Sequence, residues 1–176
     1  MRCSVRLFLS AGFLGSLALS GCGYHTLGAA THLSPDVKTI SVPLFVTRTE
    51  TYHTETVMTN AVIREFTART RYRVTPSEQA GADAVLHGTI LREQISPLTY
   101  NSSTQQSSSF LVTIIMSVTL NSADGKVLYQ NPNYVYREQY QSTTDLATFI
   151  QEDPAALERI SRAFARQLVG DVLEGF

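Results

Sequence analysis

Apolar residues recur in two different periods along the chain, and the changes of period predict where strands and helices lie. Over residues 37–46 every second side chain is apolar, which predicts a half-buried strand. Pro43 places that strand at a sheet edge or near its end. The alternation puts two sets of side chains on opposite faces: Ile40, Val42, Leu44 and Val46 against Thr39, Ser41 and Phe45.

A helical period follows over residues 51–69, and a second one closes the chain. The apolar stripe of the first helix comprises Val57, Ala61, Val62 and Phe66. The last helix begins at Asp153, a good N-cap, followed by Pro154, a good first helical residue. Its apolar stripe comprises Leu157, Ile160, Phe164, Leu168 and Val172.

Between the helices the period of two returns. Residues 72–75 and 84–95 predict two extended segments, and Gly88 in the second marks a bulge or a close contact. The clearest alternation covers residues 110–120, and the turn Asp124-Gly125 after it is a strong hairpin signal leading into residues 126–140.

These elements predict an α+β domain. The expected architecture is one four-stranded, mainly antiparallel or mixed sheet with two helices packed on one face, in the order β-α-β-β-β-α. This order lets the short strand over residues 72–75 share one sheet position with the strand that follows it.

The first 21 residues have the pattern of a bacterial export signal. Arg2 and Arg6 precede an uncharged apolar run over residues 7–19, shorter than the roughly 20 apolar residues of a spanning helix. The run closes on Leu19-Ser20-Gly21-Cys22, which is the lipobox of bacterial lipoproteins. We therefore predict cleavage before Cys22, and a diacylglyceryl group and an N-acyl chain on Cys22 as the membrane anchor.

The lipobox divides the chain into a signal peptide (1–21), a lipidated tether (22–36) and a single domain (37–176). Gly23 is not the aspartate that retains lipoproteins at the inner membrane, which favours the outer membrane. Since Cys22 carries the lipid and the other cysteine lies in the signal, we expect no disulfide in the domain. Loss of the signal changes the formal net charge from −1 to −3, so nothing indicates nucleic-acid binding.

No charged residue occurs between Glu93 and Asp124. This stretch includes a polar tract over residues 96–109. A solvated loop is one explanation, but exposed loops usually carry charge, and an uncharged polar surface suits a wet protein interface. Tyrosines in the next hairpin arm favour an interface too, although strand packing explains them equally well. The candidate partner contacts are Pro97, Leu98, Tyr100, Asn101, Gln105, Gln106, Tyr134 and Tyr136.

No arrangement of residues points to catalysis, a metal or a cofactor. None of the four histidines lies at metal-ligand spacing from another histidine, a cysteine or a carboxylate. The sequence has no nucleophile elbow, phosphate-binding glycine loop or dinucleotide fingerprint. A non-enzymatic role is therefore favoured. Arg71 and Arg73 lie on one side of a predicted strand and are candidates for binding an anion such as phosphate.

Several short motifs occur in an order that resembles a known family. They are Cys22-Gly23-Tyr24-His25 with Leu27-Gly28, Val42-Pro43-Leu44-Phe45, Ala82-Asp83-Ala84-Val85-Leu86 with Gly88 and Ile90, and Ser96-Pro97 with the strands after it. The set spans essentially the whole chain and resembles LptE, a family of lipopolysaccharide-assembly lipoproteins of the outer membrane. Each motif alone is weakly specific, and their order carries the resemblance.

The resemblance implies a non-enzymatic protein that sits as a plug inside the LptD β-barrel and helps deliver lipopolysaccharide to the cell surface. It also explains the uncharged tract, because an unpaired charge against a barrel wall is costly while Ser, Thr, Asn and Gln pair either way. The family contacts lipopolysaccharide through basic residues near one end of the sheet. The tract has none, so the candidates are the cations that flank it and its hairpin: Arg92, Lys126 and Arg137.

Two other functions stay open at this point. A periplasmic lipoprotein that carries a lipid or another apolar ligand for a transport system predicts an apolar cavity and no stable barrel complex. A surface hydrolase is the third hypothesis, and the sequence offers no nucleophile arrangement for it.

Overall fold

The computed structural model describes residues 33–49, 54–78, 81–100, 107–141 and 154–175. Within these ranges two helices pack on one face of a mixed sheet, which confirms the predicted α+β class. The helices are α1 (Thr54–Arg69) and α2 (Pro154–Glu174). The strands are β1 (Thr39–Ser41), β2 (Val46–Thr47), β3 (Arg73–Thr75), β4 (Ala84–Tyr100), β5 (Ser107–Ser122) and β6 (Val127–Gln141).

Among the described residues the sheet has six strands, so the predicted count of four is wrong. The order across the sheet is β3-β1-β4-β5-β6, with β1 parallel to both of its neighbours and β4, β5 and β6 antiparallel. β2 also pairs with β4, so β1 and β2 occupy the same side of that strand one after the other. β3 does not share a position with β4, because β1 lies between them.

Pro43 divides the first predicted strand and reverses its faces. Ile40 and Val42 are fully buried as predicted, but Leu44 and Val46, expected beside them, are 58% and 61% exposed. The Val42 N–H still donates to the Thr75 carbonyl oxygen at 2.8 Å, but residues 43–45 leave the ladder, because proline has no N–H to donate. Phe45 is consequently turned inward, and its N–H donates to Thr59 Oγ1 on α1 at 3.0 Å.

Gly88 on β4 provides the space for the inward Phe45 ring. A Cβ at position 88 would lie 2.7 Å from Phe45 Cδ1, closer than real Cβ atoms come to a neighbour. The close contact that the sequence predicted at Gly88 is therefore confirmed, and Phe45 supplies it.

The core lies between the helices and the inward side chains of β4, β5 and β6. On α2 the buried stripe includes Ile160, Phe164, Leu168 and Val172, as predicted. On α1, Met58 takes the buried position expected for Val57. Arg69 donates to the carbonyl oxygen of Arg166 at 3.4 Å, so the C-terminal half of α1 lies against α2.

Candidate partner-binding surface

The face of the sheet that points away from the helices is nearly free of charge. We call it the outer face and define it by the side chains of β4, β5 and β6 that alternate with buried ones. On β5 every second residue is buried from Phe110 to Leu120, and the residues between them are half-buried. The β5 contribution is Leu111, Thr113, Ile115, Ser117 and Thr119. None of these side chains is ionisable.

The outer face continues across all three strands in regular rows. In one row Gln94, Thr113 and Arg137 are paired neighbours, and in the next row Arg92, Ile115 and Val135 are. Arg92 and Arg137 thus stand on the same face, two strands apart across the sheet and one row apart along it. Those offsets correspond to about 10 Å and about 7 Å.

A bulge in β4 is what brings Arg92 to this face. Ile90 pairs with Met116, and Arg92 pairs with Ile115, so the register shifts by one residue between them. Leu86, Gly88 and Ile90 all face the core, and an unbroken period of two would have turned Arg92 inward as well. The shift instead directs Arg92 outward and places Glu93 opposite the buried Ile114.

The end of the β4–β5 hairpin is exposed and also uncharged. Residues 96–100 and 107–109, which the sequence placed in a loop, are paired strand, so the predicted loop extends too far. The loop expectation rested on the many Ser and Thr residues, but Thr99 Oγ1 and Ser109 Oγ lie within hydrogen-bonding distance at 2.7 Å across the strands.

The structure places the hairpin candidates as follows. Pro97 is exposed and Leu98 is 47% exposed, so both are available to a partner. Tyr100 is the last residue of β4. Asn101, Gln105 and Gln106 lie outside the described residues.

Tyr134 and Tyr136 are core residues in this chain, which corrects their assignment as surface contacts. They are 3% and 2% exposed, and both rings pack edge-on against Phe164, with centroids 6.1 Å and 5.5 Å away. Both occupy inward positions of β6, opposite Met116 and Ile114. Strand packing, the alternative explanation of these tyrosines, is the one that the structure supports.

The hydroxyls of these tyrosines donate to carboxylates at the rim of the core. Tyr134 OH donates to Asp171 Oδ2 on α2 at 2.7 Å, and Tyr136 OH donates to Glu138 Oε2 at 3.1 Å. Burial, followed by the nearby carboxylate, raises the pKa of both phenols far above the ordinary value of 10.0. The phenols therefore stay neutral. The Tyr134 hydrogen bond links β6 to α2, whereas that of Tyr136 stays within β6.

The remaining basic candidates lie at the opposite end of the sheet. Lys126 follows the β5–β6 turn and precedes Val127, which pairs with Asn121 of β5. Arg137 pairs with Thr113, which is eight residues, about 26 Å, from Asn121 along β5. Arg71 and Arg73 are at the same end as Lys126, since Arg73 pairs with Thr39 on β1.

Acidic groups accompany the cations at that end. Asp83 accepts the backbone N–H groups of Lys38 and Thr39 at 2.9 Å and 2.8 Å, which holds the pKa of its carboxyl below the ordinary value. The pKa of the Asp124 carboxyl is also lowered, first by Ser122 and then by the Lys126 N–H. The structure therefore places Arg92 and Arg137 in adjacent rows of the outer face, and places Lys126, Arg71 and Arg73 at the other end of the sheet.

Sequence reasoning missed the continuity of the outer face. The signal was present, because the apolar phase changes between Ile90 and Ile95 and marks the bulge that aims Arg92 outward.

In the described ranges no helix is long and apolar enough to cross a membrane, and no group of three or more His, Cys, Asp or Glu side chains is placed to hold a metal ion.

Comparison with protein families decides the identity. The family described as LptE, lipopolysaccharide-assembly, matches residues 37–172, which is most of the chain and the whole of the sheet. The chain belongs to the LptE family. As a member of LptE it is a membrane-associated lipoprotein of lipopolysaccharide assembly, and the family is non-enzymatic.

Solved structures share the fold of this LptE-family chain at low sequence identity. The Xanthomonas campestris protein XCC0632 is 18% identical, with a TM-score of 0.52, and the match covers 82% of this chain and 87% of that one. The Chlamydia trachomatis protein CT253 is 11% identical, with a TM-score of 0.52 and coverage of 78% and 97%. PelC from Paraburkholderia phytofirmans, a dodecamer, is 12% identical, with a TM-score of 0.50 and coverage of 77% and 86%. A search of curated proteins finds no match.

Proposed function

We propose that this LptE-family chain plugs an LptD-like β-barrel of the outer membrane, with its outer face and hairpin end against the barrel wall, and assists the passage of lipopolysaccharide. The lipid predicted on Cys22 holds the domain at that membrane. The observation that carries the proposal is the uncharged outer face of β5 and of the adjoining hairpin end.

The cost of desolvating a charge explains why a face that binds a barrel wall lacks ionic side chains. A sheet face that meets only water gains solubility from Lys and Glu, and an ionic side chain costs little there. Against a polar barrel wall, an unpaired ionic side chain loses its hydration and is strongly destabilising. Ser, Thr and Gln side chains can donate or accept hydrogen bonds, so they can pair with either acceptors or donors on the barrel wall. Half-buried Leu111 and Ile115 add apolar contact between these polar residues.

The two arginines on the outer face suit phosphate recognition. Arg92 and Arg137 are both exposed, and their guanidinium groups offer planar, bidentate donors for phosphate oxygens. We propose them as the lipopolysaccharide-contacting residues of the sheet. Lys126, near the β5–β6 turn, and Arg71 and Arg73, at β3, are separate candidates at the other end of the sheet, where acidic neighbours reduce the net positive charge.

A specific observation weighs against the role of a lipid carrier. Among the described residues, the apolar cavity beneath the helices has a volume of about 20 Å³ and is lined by Thr54, Glu93, Ile95, Val112, Ile114, Leu157 and Ile160. That volume is close to the space taken by one water molecule. An acyl chain does not fit without separating the helices from the sheet.

Gentle detergent extraction followed by purification of the tagged chain tests the proposal. We expect a large outer-membrane barrel to co-purify in a stable complex. A chain recovered alone, or with an extractable lipid and no barrel, would contradict it. A Cys22→Ala variant serves as the anchor test, and we expect it to be released from the membrane fraction if the lipid alone holds the chain there.

Photo-crosslinkers placed across residues 98–108 sharpen the assignment of the hairpin end. Barrel adducts would support the plug, and lipid adducts would support the carrier. If no adduct forms at any position, the hairpin end is a solvated surface and the proposal loses its second contact region.

A further inference from the structure

β6 is the last strand of the sheet, and its outer edge is divided into two unlike halves. Among the described residues, β5 is the strand that pairs with it, on one side. The first half contains a bulge at Asn131-Pro132-Asn133, where the register shifts. Pro132 has no N–H, and the Asn133 N–H donates to Asn131 Oδ1 at 3.1 Å. These features prevent another strand from pairing there.

The second half, residues 134–139, has no such protection. It is regular in register opposite residues 111–116 of β5 and contains neither proline nor glycine. Six residues of strand offer an edge about 20 Å long. In a strand, backbone groups point alternately to either side, so every second residue presents its N–H and C=O away from β5. A row of this kind is complementary to an extended peptide backbone.

A groove runs beside this half, between β6 and the start of α2. It is lined by Glu138, Gln139, Tyr140, Arg159 and Ile160 and encloses about 430 Å³. The guanidinium group of Arg159 lies 4.6 Å from the centre of the Tyr140 ring. An edge strand beside a helix, with a groove between them, is the arrangement in which a peptide adds as a further strand and inserts alternate side chains.

The charges at this edge favour an acidic segment. Arg137 is on the outer face and Arg159 is in the groove, so an added strand meets a cation on each of its faces. The carboxylate between them, Glu138, already accepts a hydrogen bond from the Tyr136 hydroxyl. Opposite charges on directly paired residues stabilise a sheet.

We propose that an extended, acidic segment of the partner barrel pairs with residues 134–139 of β6 and extends the sheet by one strand. The inference rests on the proposed function, since it names the part of the barrel contact that is made through backbone hydrogen bonds. The outer face then meets the barrel through side chains, and the β6 edge meets it through main chain.

Four matched crosslinker positions and one exchange measurement test the proposal. Photo-crosslinkers replace Val135 and Gln139 on β6, and Ile115 and Leu111, their paired neighbours in the same rows, on β5. Amide hydrogen exchange is then compared between the free lipoprotein and its complex with the co-purified barrel. We expect barrel adducts at both β6 positions, and exchange slowed about tenfold or more at alternate amides of residues 134–139.

The outcomes separate this inference from the proposed function. Barrel adducts together with unchanged exchange along β6 would overturn strand addition while leaving the plug intact. Adducts that join two copies of the chain through β6 would overturn the barrel as the occupant. If no barrel adduct forms at any of the four positions and no amide is protected, both proposals fail.

Discussion

The solvent side of the helix layer and the outer face of the sheet differ sharply in composition. Along α2 the exposed positions include Glu158, Arg159, Arg162 and Arg166. Along β5, which has 16 residues against 21 in α2, no residue is charged. In the isolated chain both surfaces contact water, so water alone does not explain the difference. The helix layer has the composition of a solvated surface, whereas the outer face has that of a surface matched to a polar partner.

The same sheet therefore has one face for stability and one for recognition. Its inner face contains the fully buried Ile90, Met116 and Leu120 and the tyrosines that pack on α2. We therefore expect substitutions on the inner face to lower the free energy of unfolding, and substitutions on the outer face to weaken partner binding.

The largest effect on stability is expected from Phe164→Ala. Phe164 is fully buried and contacts both Tyr134 and Tyr136, so its removal leaves a large cavity. We expect a loss of about 3–5 kcal/mol in the free energy of unfolding, measured by urea denaturation of the chain without its signal peptide. The outer-face control is Leu111→Ala, expected to cost about 1 kcal/mol or less. Equal losses in the two variants would contradict the division of the sheet.

An intermediate loss is expected from Gly88→Ala. The added Cβ would meet the Phe45 ring at 2.7 Å, and the ring must shift within the core to accept it. Overpacking of this kind costs about 1–3 kcal/mol. Thr89→Ala, the next residue and one that points to the outer face, is the control and is expected to change stability by about 0.5 kcal/mol or less. A stable Gly88→Ala variant would show that Phe45 is free to move.

Tyr134→Phe tests the hydrogen bond between the sheet and α2. Without the hydroxyl, Asp171 loses its donor, which is expected to cost about 1 kcal/mol at neutral pH. The raised pKa of Tyr134 predicts the pH dependence: its contribution is complete below the unfolded value of 10.0 and is lost as the pH rises through the folded value. Stability of the native chain should therefore fall in alkaline solution.

The control for this pH dependence is Tyr136, whose pKa is raised as well, so part of the alkaline loss should persist in Tyr134→Phe. A smaller slope of unfolding free energy against pH above 10.0 is the expected result for the variant. Slopes that are identical in the two proteins would mean that the Tyr134 phenol ionises equally easily in the folded and unfolded chain.

Much of the fold was predictable, because long segments with one period determine their own structure. The α2 stripe and the alternation of β5 are each supported by five or more apolar positions, and the Asp124-Gly125 turn fixes the hairpin between β5 and β6. The glycine at position 88 was also identifiable, since a residue without a side chain inside a strand indicates a close neighbour.

The errors arose where tertiary contacts overrule a local pattern. Nothing within residues 37–46 shows that Phe45 is drawn inward by Thr59 and Gly88, so the reversal after Pro43 was not predictable from alternation alone. Tyr134 and Tyr136 fit a core or an interface equally well by composition, and only their packing on Phe164 decides between the two. The placement of Arg92 and Arg137 on the same face depends on a bulge and on strand register, which join distant parts of the chain.

The central claim is that the outer face binds the barrel, and a charge-insertion pair tests it most directly. Ser117→Lys places a cation on the outer face of β5, where its paired neighbour is the uncharged Thr89, and Thr67→Lys places one on an exposed position of α1. Both changes should alter the free energy of unfolding by about 0.5 kcal/mol or less. Barrel recovery from detergent extracts should fall about tenfold or more for Ser117→Lys, because the buried cation lacks a partner. It should stay at the native level for Thr67→Lys. Equal recovery with both variants, at native stability, would contradict the claim.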